Sequence, residues 1–245
     1  MFASVIFLLC MAYVNAGASL LTKDMFNEMF SKRTTSPNCV QATEILTFEA
    51  FHKTAKYYPK FCNEGSKTDQ KKRLDGGLGS RMNGASALWR KLHVQPVREV
   101  DTPVPGVSYH GRGAIQITWN YNYGRVSEFF FGDKNILLKN PEKLIDDGVI
   151  AFRASLDFWM TPVEIKPSCH GIIINKAPEC PAKGRYNGYG GTTNVINGGP
   201  ECNTPTSQKV KNRVEYFKRY AKILGVSPGD HLYCDKAVAY NAGRC

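Results

Sequence analysis

The chain has 245 residues, of which 42% are hydrophobic and 22% charged, with a formal net charge of +11. That length supports one large domain or two small ones with a real core, and that balance excludes disorder over the whole chain. The cations are scattered, with Lys71-Lys72-Arg73 the longest run, so the charge reads as a solvated face and no nucleic-acid partner is expected.

The one long apolar run comes first, Phe2 to Val14, with small residues following at Ala16 and Ala18. It is shorter than the ~20 apolar residues a spanning helix needs. Residues 1–18 therefore read as a signal peptide, and 19–245 as a single secreted domain with no membrane span. Cysteine usage agrees. Beyond Cys10 in the leader stand Cys39, Cys62, Cys169, Cys180, Cys202, Cys234 and Cys245, none in a CxxC pair or at ligand spacing from a His. Disulfides are expected; a metal or other cofactor is not. Seven is an odd number, so one thiol is left over, and Cys245 at the C-terminus is the expected one. The protein is expected to be a monomer.

Helix signals dominate the rest. Thr22 can cap a helix over Lys23 to Lys32, with Met25, Phe26, Met29 and Phe30 on its apolar side, and Thr47 can cap a second from Phe48 to about Tyr58. Residues 63–84 are polar and Gly-rich, which disfavours helix. Asp146 or Asp147 opens a further helix to Met160, with Ile150, Ala154, Phe158 and Trp159 inward. Cys169 to Gly199 reads as loop. The last helix spans Gln208 to Leu224, capped by Ser207 and stopped by Gly225, with Val210, Val214, Phe217, Ala221 and Leu224 as its stripe. The best strand signals are residues 115–118 and Val195-Ile196. The fold class is mainly α, with minimal strand.

The segment Tyr109 to Gly124 carries the chemistry: Tyr-His-Gly-Arg-Gly-Ala-Ile-Gln-Ile-Thr-Trp-Asn-Tyr-Asn-Tyr-Gly. Glycines on both sides of Arg112 permit a tight turn. Ile115 and Ile117 alternate with Gln116 and Thr118, and Trp119 to Tyr123 set flat rings beside amides. Sugar chains offer apolar ring faces edged by hydroxyl and acetamido groups, which such a surface fits.

This segment resembles the signature of the glycoside hydrolase family 19 chitinases, Gly-Arg-Gly-Pro-Ile-Gln-Ile-Ser-Trp-Asn-Tyr-Asn-Tyr-Gly. The resemblance extends over Leu21 to Phe30, Phe152 to Pro162, Thr193 to Gly199 and Arg213 to Cys234. It implies a lysozyme-like, two-lobed helical domain with a central substrate cleft. The implied substrate is chitin or a chitooligosaccharide, with β-1,4-linked N-acetylglucosamine hydrolysed by inversion. No hevein-like module is expected ahead of the domain, so binding is expected to rest on the cleft. The resemblance also places Cys202 and Cys234 where the family closes a disulfide, worth roughly 3–4 kcal/mol in the chain-entropy model.

Inversion requires a carboxylic acid and a carboxylate roughly 6.5–9.5 Å apart, the second activating water. The resemblance puts Glu99 at the base, with Asp101 as fallback, and Thr118 where a Ser holds the water. Gln116, Trp119, Asn122, Tyr123, Asn197 and Arg213 match sugar-binding positions. Counting from Lys72-Arg73 puts Ala85 where the family carries its general-acid Glu, and Asp75 is the nearest substitute. A positioned acid or base is typically worth ~10²–10⁴-fold. The alternative function is therefore a chitin-binding pseudoenzyme.

Overall fold

The structure is a computed structural model, and it describes residues 21–31, 42–61 and 103–245. The expected signal peptide 1–18, Cys39, Cys62, Asp75, Ala85, Glu99 and Asp101 lie outside these residues. What is described is mostly helix; strand is limited to isolated antiparallel bridges at Arg112–Ile117, Val163–Lys166 and Cys180–Arg185. The described residues divide into a smaller compact unit, 42–57 with 103–155, and a larger one, 21–31 with 58–61 and 156–245. In chain order the helices are α1 Lys23–Met29, α2 Ala42–Ile45, α3 Phe48–Ala55, α4 Asn120–Phe131, α5 Asn135–Lys139, α6 Gly148–Met160, α7 Cys169–Ile173, α8 Tyr189–Glu201 and α9 Gln208–Ile223.

In the smaller unit, Thr47 caps α3 by accepting from the Ala50 amide at 3.1 Å. Phe51 packs edge-on against Phe152 with centroids 5.4 Å apart. Thr54, buried in an otherwise apolar face, donates to Ala50 O at 2.8 Å and lies 3.3 Å from Val149 O. A side chain at Gly148 would overlap the Ile45 carbonyl, so glycine permits that close approach. α3 stops at Ala55, three residues short of Tyr58. Tyr57 instead leaves the helix axis and lies on the Arg153 guanidinium, 4.6 Å from its ring centroid. α4 and α5 are absent from the sequence expectation. Ser127 joins them, donating to Asp133 O at 2.6 Å and accepting from the Leu137 amide at 3.0 Å.

The opening of α6 falls to Asp147, whose Oδ1 accepts from the Val149 amide at 2.6 Å. Its inward face differs from the expected one. Ile150 and Phe158 are half-buried, whereas Ala151, Phe152, Ser155 and Leu156 join Ala154 and Trp159 in the interior. A helix covered on most of its circumference has no single stripe for periodicity to find.

In the larger unit, Thr22 caps α1 as expected, 3.1 Å from the Met25 amide, but the helix ends at Met29. α9 packs on α1. It buries Val210, Val214, Phe217, Tyr220 and Ala221, with Phe217 stacked on Tyr189 at 4.3 Å, while Leu224 is half-buried. Gly225, at φ +65°, ends it. The expected loop from Cys169 to Gly199 contains α7 and α8, and Val195-Ile196 lies in α8 rather than in a strand. An apolar pair too short for periodicity took the state its packing favours.

Cys202 and Cys234 are bonded, with Cα atoms 4.9 Å apart. Cys245 is not the leftover thiol. It bonds Cys180 across a Cα separation of 5.6 Å, within normal bridging range. The free cysteine among the described residues is Cys169, wholly buried at the start of α7, where burial pushes its thiol well above the usual range.

Candidate functional site

The expected site residues of the smaller unit that are described lie on one short loop, Gln116 to Trp119, and on the first turn of α4, Asn122 and Tyr123. Arg112 and Ile117 exchange backbone hydrogen bonds of 3.1 and 2.9 Å, so residues 113–116 form a tight turn rather than a strand. The alternation of side chains survives: Ile115 and Ile117 are buried and Gln116 exposed. Gln116 has φ +61° and Trp119 φ +75°, a left-handed backbone that non-glycine residues rarely adopt.

Arg112 holds this loop from beneath. Its side chain is 4% exposed. Nη1 donates to Ser108 O at 2.9 Å, to His110 O at 3.3 Å and to the Tyr123 hydroxyl at 2.9 Å. Nη2 pairs with Glu142 Oε1 at 2.5 Å. Burial works against the guanidinium charge, yet the bonds to Glu142 and Tyr123 prevail and raise its pKa. The Arg112 hydrogen bond in turn holds Glu142 below the usual carboxylate range. Burial pushes the Tyr123 phenol up, and its hydroxyl donates to His110 O at 2.7 Å.

Tyr123 is therefore not a sugar-facing residue. It is 0% exposed, because as the fourth residue of α4 it turns into the core, where its ring lies 5.6 Å from that of Tyr109. Its neighbours behave otherwise. Trp119, the residue before α4, is 63% exposed and Tyr121 is 45% exposed. Gln116 Nε2 donates to Gly113 O at 3.0 Å, Thr118 Oγ1 to Gln116 O at 2.8 Å, and Asn122 Nδ2 to Thr118 O at 2.9 Å. Each polar side chain is thus oriented by one local bond and keeps further hydrogen-bonding capacity. Gly111 makes room for Gln116, since a Cβ there would stand 2.8 Å from Gln116 Oε1.

Asn197 and Arg213 belong to the larger unit. Asn197 interrupts α8 with φ −146° and ψ 37°. Arg213 engages both Glu201 oxygens, Nη1 reaching Oε1 at 3.0 Å and Nη2 reaching Oε2. This is a partly buried two-point pair of the stronger kind. Lys166 Nζ donates to Val195 O at 3.1 Å, which puts a cation near the same part of α8. Glu142, Glu201 and Lys166 were not singled out from sequence. The glycines flanking Arg112 and the Gly198-Gly199-Pro200 run ahead of Glu201 were the only local hints. Among the described residues, no group of three or more His, Cys, Asp or Glu is placed to hold a metal.

Known proteins resemble this chain in sequence and in fold. Residues 94–234 match the glycoside hydrolase 19 family model, described as chitinase class I. An endochitinase A2 of Pisum sativum is 35% identical over 238 residues, spanning 89% of this chain and 72% of that protein. An endochitinase of Persea americana is 35% identical over 239 residues, with the same coverage of 89% and 72%. Among solved structures, the class IV chitinase of Zea mays aligns with a TM-score of 0.59 at 25% identity, covering 87% of this chain and 97% of that one. Chitinase C of Streptomyces griseus aligns with a TM-score of 0.59 at 24% identity, covering 89% and 82%, and speaks to the fold alone. The chain belongs to the glycoside hydrolase 19 family. It is a chitinase-like member with the family's mainly helical, lysozyme-like fold.

Proposed function

We propose that this protein is a secreted glycoside hydrolase directed at chitin, the β-1,4-linked polymer of N-acetylglucosamine, or at its oligomers. The observation that carries the reading is the exposed Trp119–Tyr121 pair beside Gln116, Thr118 and Asn122. Flat rings take the apolar faces of sugars, and oriented amides and a hydroxyl take their polar edges. Asn197 and Arg213 are the corresponding sugar-contacting residues of the larger unit, Arg213 being held in place by Glu201. Secretion is supported by the apolar run Phe2 to Val14 and by two disulfides. No helix of the described residues is long and apolar enough to cross a membrane.

In the inverting reaction, Glu99 is the carboxylate that takes a proton from water, and Thr118 holds that water. The proton for the leaving oxygen must come from a second carboxyl group. A second reading, chitin binding with impaired turnover, is favoured by Ala85 at the counted general-acid position.

Chitohexaose separates the two. Calorimetry is expected to show binding, and proton NMR of the first products to show the α-anomer. Binding without cleavage in the wild type, with cleavage appearing in Ala85→Glu, establishes the second reading. If neither binding nor cleavage is seen, both readings fall. Should cleavage occur, Glu99→Gln is expected to abolish it while affinity holds; an unchanged rate removes Glu99 from the mechanism.

A further inference from the structure

We infer that the C-terminal segment, residues 237–245, is a brace that sets the turn carrying Asn197, and that the Cys180–Cys245 disulfide locks the brace in place. The link from this turn to ligand rests on the reading above; the brace itself does not.

α8 departs from helical geometry at Asn197. One turn earlier, the buried Asn194 spends its whole amide on the C-terminal segment. Oδ1 accepts from the Tyr240 amide and Nδ2 donates to Val238 O, each at 3.1 Å. Gly198, immediately after Asn197, faces that amide. A Cβ there would collide with Asn194 Oδ1 and stand 3.5 Å from Ala239 Cβ. A Cβ at Gly199 would lie 3.8 Å from Asn241 Nδ2. The segment therefore touches α8 on both sides of Asn197 in sequence.

The far side of the segment is held just as closely. Arg185, 4% exposed, distributes its guanidinium over three carbonyls. Nε bonds Val238 O at 2.9 Å, Nη2 bonds Ala239 O at 2.7 Å and Nη1 bonds Gly243 O at 2.9 Å. The guanidinium also lies 4.8 Å from the Tyr240 ring centroid. Lys183 Nζ donates to Arg244 O, and Lys183 O accepts from the Val238 amide at 2.9 Å. Two disulfides bound the segment. Cys234 is tied to Cys202, the residue after α8, and Cys245 is tied to Cys180, ahead of α8. Chain ends fray unless tied down. This one is tied by a buried arginine, an asparagine and a covalent bond, all converging next to the break in α8. Releasing it frees Asn194 to satisfy its amide elsewhere and so loosens the side chain against which Gly198 packs. Asn194, Arg185 and the disulfide are thus positioning groups for Asn197, not catalytic ones.

The test uses the full chain. Cys180→Ala/Cys245→Ala removes the lock. Arg185→Lys keeps the charge but replaces the three-way fork with a single ammonium, giving a second variant if the first does not fold. Amide hydrogen exchange is expected to speed up about tenfold over 194–199 in either variant, with residues 210–221 of α9 unchanged. Affinity for chitotetraose is expected to fall about tenfold through lost preorganisation. That loss should vanish when Asn197 is already Ala, because the brace acts through it. Unchanged exchange at 194–199, or a loss fully additive with Asn197→Ala, overturns the brace. If the wild type does not bind chitotetraose, the chitin reading fails, and the exchange data alone decide the brace.

Discussion

Residues 108–119 and residues 234–245 are largely irregular segments held by one device, a buried guanidinium spending its donors on backbone carbonyls. They differ in what completes the lock. Arg112 adds a carboxylate, Glu142, whose side chain is 59% exposed, and the buried phenol of Tyr123. Arg185 takes a third carbonyl instead, and its segment is closed by a sulfur–sulfur bond. An ion pair reaching the surface responds to protons and salt, whereas three carbonyls and a disulfide respond to neither. The loop that presents Trp119, Gln116 and Thr118 is therefore held electrostatically, and the segment behind Asn197 covalently.

The largest test of that contrast is Arg112→Met. It leaves the Ser108 carbonyl and the Tyr123 hydroxyl without the Arg112 donor and His110 O with the Tyr123 hydroxyl alone, and about 3–4 kcal/mol of stability is expected to be lost in urea unfolding. A loss below about 1 kcal/mol would show that the loop does not depend on Arg112. Next comes Cys180→Ala/Cys245→Ala, expected to cost about 2–4 kcal/mol, the range typical of a disulfide, and to do so equally at pH 4 and pH 7.

Trp119→Ala is expected to weaken chitohexaose binding by about 1–2 kcal/mol while leaving the melting temperature in place, because the ring is exposed. A melting shift would mean that the ring supports the fold instead. A smaller effect is expected from pH. Glu142 has a folded pKa below its usual value because it accepts from Arg112. Its contribution is therefore present in full above the unfolded value of 4.5 and lost as pH falls through the lower folded value. Glu142→Gln should remove that part of the acid sensitivity, and an identical acid limb in the variant would sink the claim. The smallest effect belongs to Gly111→Ala, whose Cβ would stand 2.8 Å from the movable Gln116 Oε1 and 3.0 Å from Gln116 Cβ. Less than about 1 kcal/mol of stability should be lost, with the change appearing in ligand affinity.

The legible parts of the molecule were those that local physics determines. Thr22 and Thr47 cap their helices because a hydroxyl one turn before an apolar face has a single good use there. The α9 stripe and the stop at Gly225 follow from 3.6-residue periodicity and from a backbone only glycine adopts cheaply. The illegible parts were decided by distant partners. Residues 115–118 alternate like a strand, yet among the described residues no neighbouring strand takes their backbone bonds; Arg112 and Ile117 instead pair with each other and close them into a turn. Tyr123 sits among sugar-compatible neighbours in sequence, but the register of α4 turns it inward.

By itself, then, the sequence determined the mainly helical class, the Cys202–Cys234 pairing through family resemblance, and the Tyr109–Gly124 segment as the ligand-facing candidate. Residue type and spacing act over a turn or two, and a long motif identifies a family. The tertiary structure alone decided that Cys180 takes Cys245 and leaves Cys169 buried and free, that Glu201 holds Arg213, and that the C-terminus is clamped beside Asn197. Those pairings join residues 12 to 65 positions apart. At such separations, burial and three-dimensional proximity choose the partner.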